Sequence, residues 1–145
     1  MKKTIFTVLF GGLIALVLTA PVLAATTVSL SPASINVVEG RSFNLTVKID
    51  PQGVKNYTAK IELKYLVDLL RVNSFTFGSN WMIVNQPGYD SIDNVNGVLV
   101  KTAGYPGGVS SQVTFGTVSF SAKKAGNGVI KMGNNSLALD ATNQN

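Results

Sequence analysis

The sequence predicts an all-β fold, an antiparallel β-sandwich or jelly roll. Two observations support this prediction. Short runs in which apolar and polar residues alternate recur along the chain, and turns rich in Gly, Asn, Pro and Asp separate them. No helical stripe of useful length is present in the sequence. The length of 145 residues suits one domain, which we place at residues 25–145.

The first 24 residues differ from this domain in composition. "MKK" is positively charged, "TIFTVLFGGLIALVLTA" is uninterrupted and apolar, and "PVLA" ends the segment with small residues. This order is typical of a secretory signal peptide of bacterial type, which we expect to be cleaved after Ala24. The alternative is an uncleaved membrane anchor, because the apolar run is close to spanning length. We therefore expect a secreted, extracellular or cell-surface protein that meets a membrane only through an uncleaved signal segment.

Charge and missing residue types exclude several classes of function. The chain carries 12 basic and 7 acidic residues, and removal of Lys2 and Lys3 with the signal leaves 10 basic residues and a net charge of +3. These basic residues are scattered, whereas a nucleic-acid partner requires them to be clustered. The chain contains no Cys and no His. Zinc sites built on these residues and Ser–His or Cys–His catalytic pairs are therefore excluded.

The strands follow one another along the chain with clear alternation. After a turn at Glu39 and Gly40, "FNLTVKI" places four residues on one face: Phe43, Leu45, Val47 and Ile49. In "TAKIELKY" the inward residues are Ala59, Ile61, Leu63 and Tyr65. "NGVLVKTAG" is another strand, and "VTFGTVSFSA" is two strand pieces whose phase slips at Gly116, as at a β-bulge. "VIKM" and "SLALD" predict two short strands near the end.

Three of these stretches also carry a family resemblance. "VEGRSFNLTVKID", "ELKYLVDLLRV" and "FGTVSFSAKKAGNGVI", in this order, resemble the cohesin domains of secreted bacterial polysaccharide-degrading systems. They also resemble the carbohydrate-binding modules that share the cohesin sandwich. The resemblance implies an antiparallel β-sandwich with jelly-roll topology and about nine strands. Because the family has one more strand after "SLALDATNQN", we expect the domain to be truncated at its C-terminus.

The resemblance also implies a function. Cohesins are non-catalytic modules in which a flat sheet face binds a dockerin, a small calcium-loaded helical module on a partner protein. Matched position by position, the resemblance assigns the contacts to outward residues of three strands: Thr58, Lys60, Glu62, Leu99, Lys101, Thr117, Ser119 and Ser121. Many relatives carry acidic or amide residues at the position of Lys60. The predicted role is to tether a partner within a polysaccharide-degrading or cell-surface assembly.

Two other functions remain open from the sequence. A carbohydrate-binding module would use exposed aromatic rings as a platform for polysaccharide, with Trp81 and Tyr105 as the candidates. Trp81 lies in the apolar context "FTFGSNWMIV", which favours packing under a loop, whereas Tyr105 lies in the loop-like "AGYPGG". The third possibility is a structural sandwich of a surface protein, in which charged strand residues such as Lys60 and Glu62 provide only solubility.

Neither a metal site nor an enzyme is indicated. "YDSIDNVNG" brings together Asp90, Asp93, Asn94 and Asn96, but the spacing differs from that of a calcium loop and fits turn formation better. A glycosidase needs two facing carboxylates, and no pattern pairs Glu39 with Glu62. We therefore expect no catalytic residue, no metal and no cofactor.

Overall fold

A computed structural model describes residues 25–144, and these residues form ten strands and no helix. The predicted signal peptide lies outside the described residues. Within that range, no helix is long and apolar enough to cross a membrane. The strands are β1 (Thr27–Ser31), β2 (Ser42–Asp50), β3 (Asn56–Tyr65), β4 (Leu70–Phe77), β5 (Met82–Ile83), β6 (Asp90–Asp93), β7 (Val98–Val109), β8 (Val113–Ala122), β9 (Ile130–Met132) and β10 (Leu137–Leu139).

The strands pair antiparallel in two sheets. One sheet has four strands in the order β1-β2-β8-β4, and the other has six, in the order β10-β3-β7-β5 with β6 added to β7 and β9 added to β3. The chain changes sheet after β2, after β3, after β4, after β7 and after β8. The antiparallel β-sandwich with jelly-roll topology is therefore confirmed. The sequence had assigned no strand to the segment that supplies β5 and β6.

The core lies between the sheets and consists of the residues that the alternation placed inward. Leu45, Val47 and Ile49 of β2 are buried, as are the four predicted inward residues of β3, Ala59, Ile61, Leu63 and Tyr65. From β8, Phe115, Val118 and Phe120 complete the centre of the cluster. Every buried member of this cluster lies within residues 45–120, so the described part of the chain carries its own core.

The predicted phase slip in β8 is confirmed. The pairing of β2 with β8 passes from Val47 and Gly116 directly to Lys48 and Thr114, so Phe115 has no partner in the ladder. This bulge turns Phe115 into the core on the same side as Val118. Gly116 is required there, because a Cβ atom at this position would overlap the ring of Phe75.

A polar corner joins β3 to the neighbouring strands. The Tyr65 hydroxyl donates a hydrogen bond to Oδ1 of Asn94 at 2.8 Å. Asn94 in turn accepts from the backbone N–H of Val72 and donates to its carbonyl, at 2.8 and 3.0 Å. Burial, and secondarily the negative charge of Asp93, raises the pKa of Tyr65 above its ordinary value. The Tyr65 hydroxyl therefore stays neutral and, through Asn94, connects β3 to β4.

Candidate functional site

Each sheet of the sandwich exposes one outer surface, and the pairing register decides which side chains share it. We call the outward positions of the six-stranded sheet the six-strand face. One row across it runs from Leu137 through Lys60 to Thr102, and the next row from Leu139 through Thr58 and Gly104 to Met82. Thr58 and Lys60 are therefore placed on this face, as the sequence predicted.

The six-strand face is apolar as well as charged. Leu137 and Leu139 are partly buried, and Met82 is 66% exposed. The Lys60 ammonium lies 5.2 Å from the ring centroid of Tyr89. Tyr89 directly precedes β6, which pairs with the edge of β7 opposite β3. The ring and the ammonium thus meet across β7, and together they present an amphipathic surface.

Glu62 is on the predicted side of β3, but it is buried and does not offer its carboxylate to a partner. It is only 4% exposed, because the connection from β9 to β10 lies over it. Asn135 donates to Oε2 at 2.6 Å, and the Gly133 N–H donates to the Glu62 carbonyl at 2.8 Å. The Lys64 ammonium lies 3.6 Å from Oε1. Glu62 therefore anchors the segment that leads into Leu137.

The prediction that Leu99 and Lys101 point outward is wrong. Leu99 is completely buried in the core, and Lys101 lies on the same side of β7, opposite Ile61. The Lys101 ammonium forms an ion pair with Asp90 and lies 5.7 Å from the ring centroid of Phe75, which belongs to the other sheet. The alternate residues of this part of β7, Val100 and Thr102, lie on the outer side of the sheet but are also covered, at 9% and 4% exposed. The apolar run "GVLV" hides the phase, and the buried ion pair allows a lysine to point inward.

Thr117, Ser119 and Ser121 do point outward, but from the opposite side of the molecule. They belong to β8, in the four-stranded sheet, and share its outer surface with Asn44 and Thr46 of β2. We call these outward positions the four-strand face. The sandwich separates this face from Lys60 by its full thickness, so the residues matched to the family cannot form a single contact surface.

The four-strand face carries small polar side chains that bond to one another, together with the basic side chains of Lys48 and Arg71. The hydroxyl of Ser121 donates to Oδ1 of Asn73 at 2.9 Å and lies 3.4 Å from the hydroxyl of Ser42. Along the rows the neighbours are again Ser and Thr, with Thr46 paired to Thr117 and Thr117 paired to Thr76. This surface carries no aliphatic side chain in those rows, and its polar groups are partly paired among themselves.

The aromatic candidates do not form an exposed platform. Trp81 is 9% exposed, and its indole N–H donates to the carbonyl of Thr114 at 2.9 Å. Its ring packs edge-on against Phe115 and against Tyr105, with centroid distances of 4.8 and 5.0 Å. Tyr105 is partly buried by this contact. Trp81 is packed in the core, as its apolar context favoured, and Tyr105 is only partly exposed.

The Asp and Asn residues before β7 form a hydrogen-bonded turn and an ion pair. Asp93 accepts hydrogen bonds from the backbone N–H groups of Val95 and Asn96, both at 2.9 Å, and from the Asn96 side chain at 2.7 Å. The Asn96 side chain, and then these backbone groups, hold the pKa of Asp93 below its ordinary value. Asp90 is paired with Lys101. In the described residues, no three acidic side chains come together in a way that fits a metal ion.

Sequence reasoning missed three residues of the six-strand face, Met82, Leu137 and Leu139, and did not place Tyr89 on it. The alternation in "SLALD" was a usable signal for the two leucines, since its two outward positions are apolar. No local signal indicated Tyr89, because its position over Lys60 depends on the path of the segment between β5 and β6.

Comparison with solved structures places this architecture among cohesins. A cohesin module from a family 33 glycoside hydrolase of Clostridium perfringens superposes with a TM-score of 0.63 and 14% identity, covering 83% of this chain and 85% of that chain. A non-cellulosomal cohesin from Archaeoglobus fulgidus gives 0.61 and 19%, with 83% and 81% covered. The sixth cohesin of Acetivibrio cellulolyticus scaffoldin B, in complex with a Cel5 dockerin, gives 0.60 and 18%, with 83% and 90% covered.

These likenesses establish the fold of the domain. No protein-family model matches the chain. No curated protein matches it either. The identities are low, so the similarity concerns the arrangement of strands, and the chain is cohesin-like in that sense.

Proposed function

We propose that this chain is a non-catalytic binding module that holds a dockerin-type partner on its six-strand face. The observation that carries the proposal is the contrast between the faces. Of the two faces formed by the described residues, only the six-strand face combines partly exposed aliphatic side chains with an aromatic ring and a lysine. Interfaces of this kind take most of their binding energy from a few central apolar and aromatic residues inside a polar rim.

Several cohesins of the same fold support this choice of partner. The Acetivibrio cellulolyticus scaffoldin B cohesin was solved with a dockerin, as was the third cohesin of ScaC. The latter covers 66% of this chain at a TM-score of 0.53 and 16% identity. The partner surface would need apolar groups to cover Leu137 and Leu139, and acidic groups to meet Lys60. With Glu62 buried, three lysines lie among the outward charges of this face: Lys60, Lys64 and Lys131.

The signal segment supports the wider setting that we propose. A module with residues 1–24 as a cleaved signal would act outside the cell, where a polysaccharide-degrading or surface assembly would employ it. The carbohydrate-binding alternative has less support, because Trp81 is buried and Tyr105 is partly covered.

The test is a binding screen of residues 25–145 against a panel of calcium-loaded dockerins and a panel of polysaccharides, by pull-down and calorimetry. We expect a dockerin to bind. Reversal of the charge in Lys60→Glu, or loss of the apolar contact in Leu137→Ser, should weaken this binding at least tenfold, as is typical for central interface residues.

The matched control is Ser119→Glu, which places a new charge on the four-strand face. It should leave dockerin binding unchanged. Equal losses in Ser119→Glu and Lys60→Glu would contradict the assignment of the face. Binding to a polysaccharide but to no dockerin, lost on Tyr105→Ala, would replace the proposal with the carbohydrate-binding function.

A further inference from the structure

One end of the sandwich carries most of the strongly exposed aliphatic side chains. Four loops meet there, at residues 32–41, 66–69, 94–97 and 123–129. Among the described residues, nine large hydrophobic side chains are exposed, and five of them lie on these loops. These five side chains are 47% to 83% exposed: Ile35, Val38, Leu66, Val95 and Val129. We call these four loops the loop end. Single exposed aliphatic residues are ordinary, but their concentration at one end marks a contact surface.

Contacts between the loops make the loop end one continuous surface. The Lys123 ammonium donates to the carbonyl of Val67 at 2.6 Å, and Oε2 of Glu39 accepts from the N–H of Ala125 at 3.2 Å. Gly97 lies directly against Tyr65 and Val67. The four loops are therefore in contact with one another.

The charges around these tips are mainly positive. Six basic residues lie in the loops or within two residues of the adjoining strand ends, namely Arg41, Lys64, Arg71, Lys123, Lys124 and Lys131. Three acidic residues lie there, Glu39, Asp68 and Asp93. The loop end therefore carries a net positive charge of three, which favours an anionic surface and disfavours a second copy of the same end.

The loop end also contains a groove between its loops. The groove has a volume of about 260 Å³ and is lined among others by Ile35, Val37, Leu69 and Ile130. This volume accommodates a few side chains or the end of an acyl chain. The most exposed tips, Val38 and Val95, belong to two different loops and present separate points of contact.

We propose that the loop end docks on an anionic lipid surface. The aliphatic tips enter the headgroup region, and the surrounding lysines contact the lipid phosphates. This goes beyond the expectation that the protein meets a membrane only through residues 1–24. The domain begins at the end of the sandwich opposite the loop end, where Asn56 is hydrogen-bonded to Thr26. The loop end therefore lies away from the point at which residues 1–24 join the domain.

The test uses residues 25–145, which contain the whole described core and lack the apolar leader. Co-sedimentation is measured with vesicles of phosphatidylglycerol mixed with phosphatidylcholine, and with phosphatidylcholine alone. We expect binding to the anionic vesicles that weakens as salt is added. Removal of two tips in Val38→Gln with Val95→Gln should weaken it about tenfold or more, and Lys124→Gln with Lys131→Gln should also weaken it.

The matched control is Met82→Gln with Ile83→Gln, which removes two exposed aliphatic residues, 66% and 55% exposed, from β5. It should leave vesicle binding unchanged, and unaltered thermal unfolding would show that each variant is folded. No binding to anionic vesicles would overturn the proposal, as would equal losses in the tip variant and the control. Because dockerin binding is assigned to the six-strand face, the tip variant should retain it, which separates the two proposals.

Discussion

The two faces of the sandwich are built on the same alternation but carry different chemistry. The four-strand face presents mainly Ser, Thr and Asn side chains, some of which hydrogen-bond to one another, as Ser121 does with Asn73, and its charges are Lys48 and Arg71. The six-strand face presents Leu137, Leu139 and Lys60, and a buried glutamate holds a loop against it. The outward pattern of a strand therefore identifies an exposed side, whereas the side chains of neighbouring strands decide whether that side suits a partner.

A second difference lies in what each sheet buries. The four-stranded sheet contributes Val47, Val118 and Phe120 to the interior. The six-stranded sheet also directs Lys101 inward, where its charge requires Asp90. The six-stranded sheet thus contains two buried charged groups, Glu62 and Lys101, whose partners tie β6 and the β9–β10 connection to its central strands.

The largest loss of stability should come from replacing the inward lysine, Lys101. Lys101→Met leaves the Asp90 carboxylate without its counter-charge, and the two side chains are only 10% and 17% exposed. We expect the free energy of unfolding to fall by about 3 kcal/mol, as for other broken buried pairs. Urea denaturation measures this. Lys60→Met is the control on the outer side and should cost less than about 1 kcal/mol. A similar small loss in both variants would show that Lys101 is not an interior residue.

A smaller loss of stability is expected in the β9–β10 connection, which covers Glu62. In Gly133→Ala the new Cβ atom would overlap the Glu62 carboxylate, so we expect a loss of about 2 kcal/mol in unfolding free energy. Addition of Glu62→Ala should relieve the overlap, and a double-mutant cycle should show coupling between the two sites. On the four-strand face, Ser121→Ala should cost under about 1 kcal/mol, since its hydrogen bonds are exposed. Additive losses at Gly133 and Glu62 would contradict this account.

The smallest effect should be a pH dependence of stability caused by Asp93, at the edge of the six-stranded sheet. The folded protein lowers the pKa of Asp93 below 3.8, so the ionised form is the one that the fold favours. Its stabilising contribution is present above the unfolded pKa and is lost as the pH falls through the folded pKa. The melting temperature of the native protein should therefore exceed that of Asp93→Asn near neutral pH, and the difference should shrink below about pH 4. A constant difference across this range would show that Asp93 acts without its charge.

Strand positions and inward residues were largely predictable. In β2 and β3 the alternation is strict, and burial of one side follows directly from it. The slip at Gly116 was also readable, because the apolar positions in β8 change parity there. In β7 the residues "VLV" are all apolar, so no alternation shows which of them point inward. The assignment of Leu99 and Lys101 to the outside was therefore wrong.

The sequence by itself determined that this chain is a β-sandwich, because a period of two commits one side of each strand to the core. It also determined which residue types were available for chemistry. Only the tertiary structure decided which strands share a sheet, and hence that Lys60 and Ser119 face opposite ways. It likewise decided that Glu62 is covered and that Tyr89 reaches Lys60. These features depend on pairings between residues distant in the chain, and no local pattern encodes such pairings.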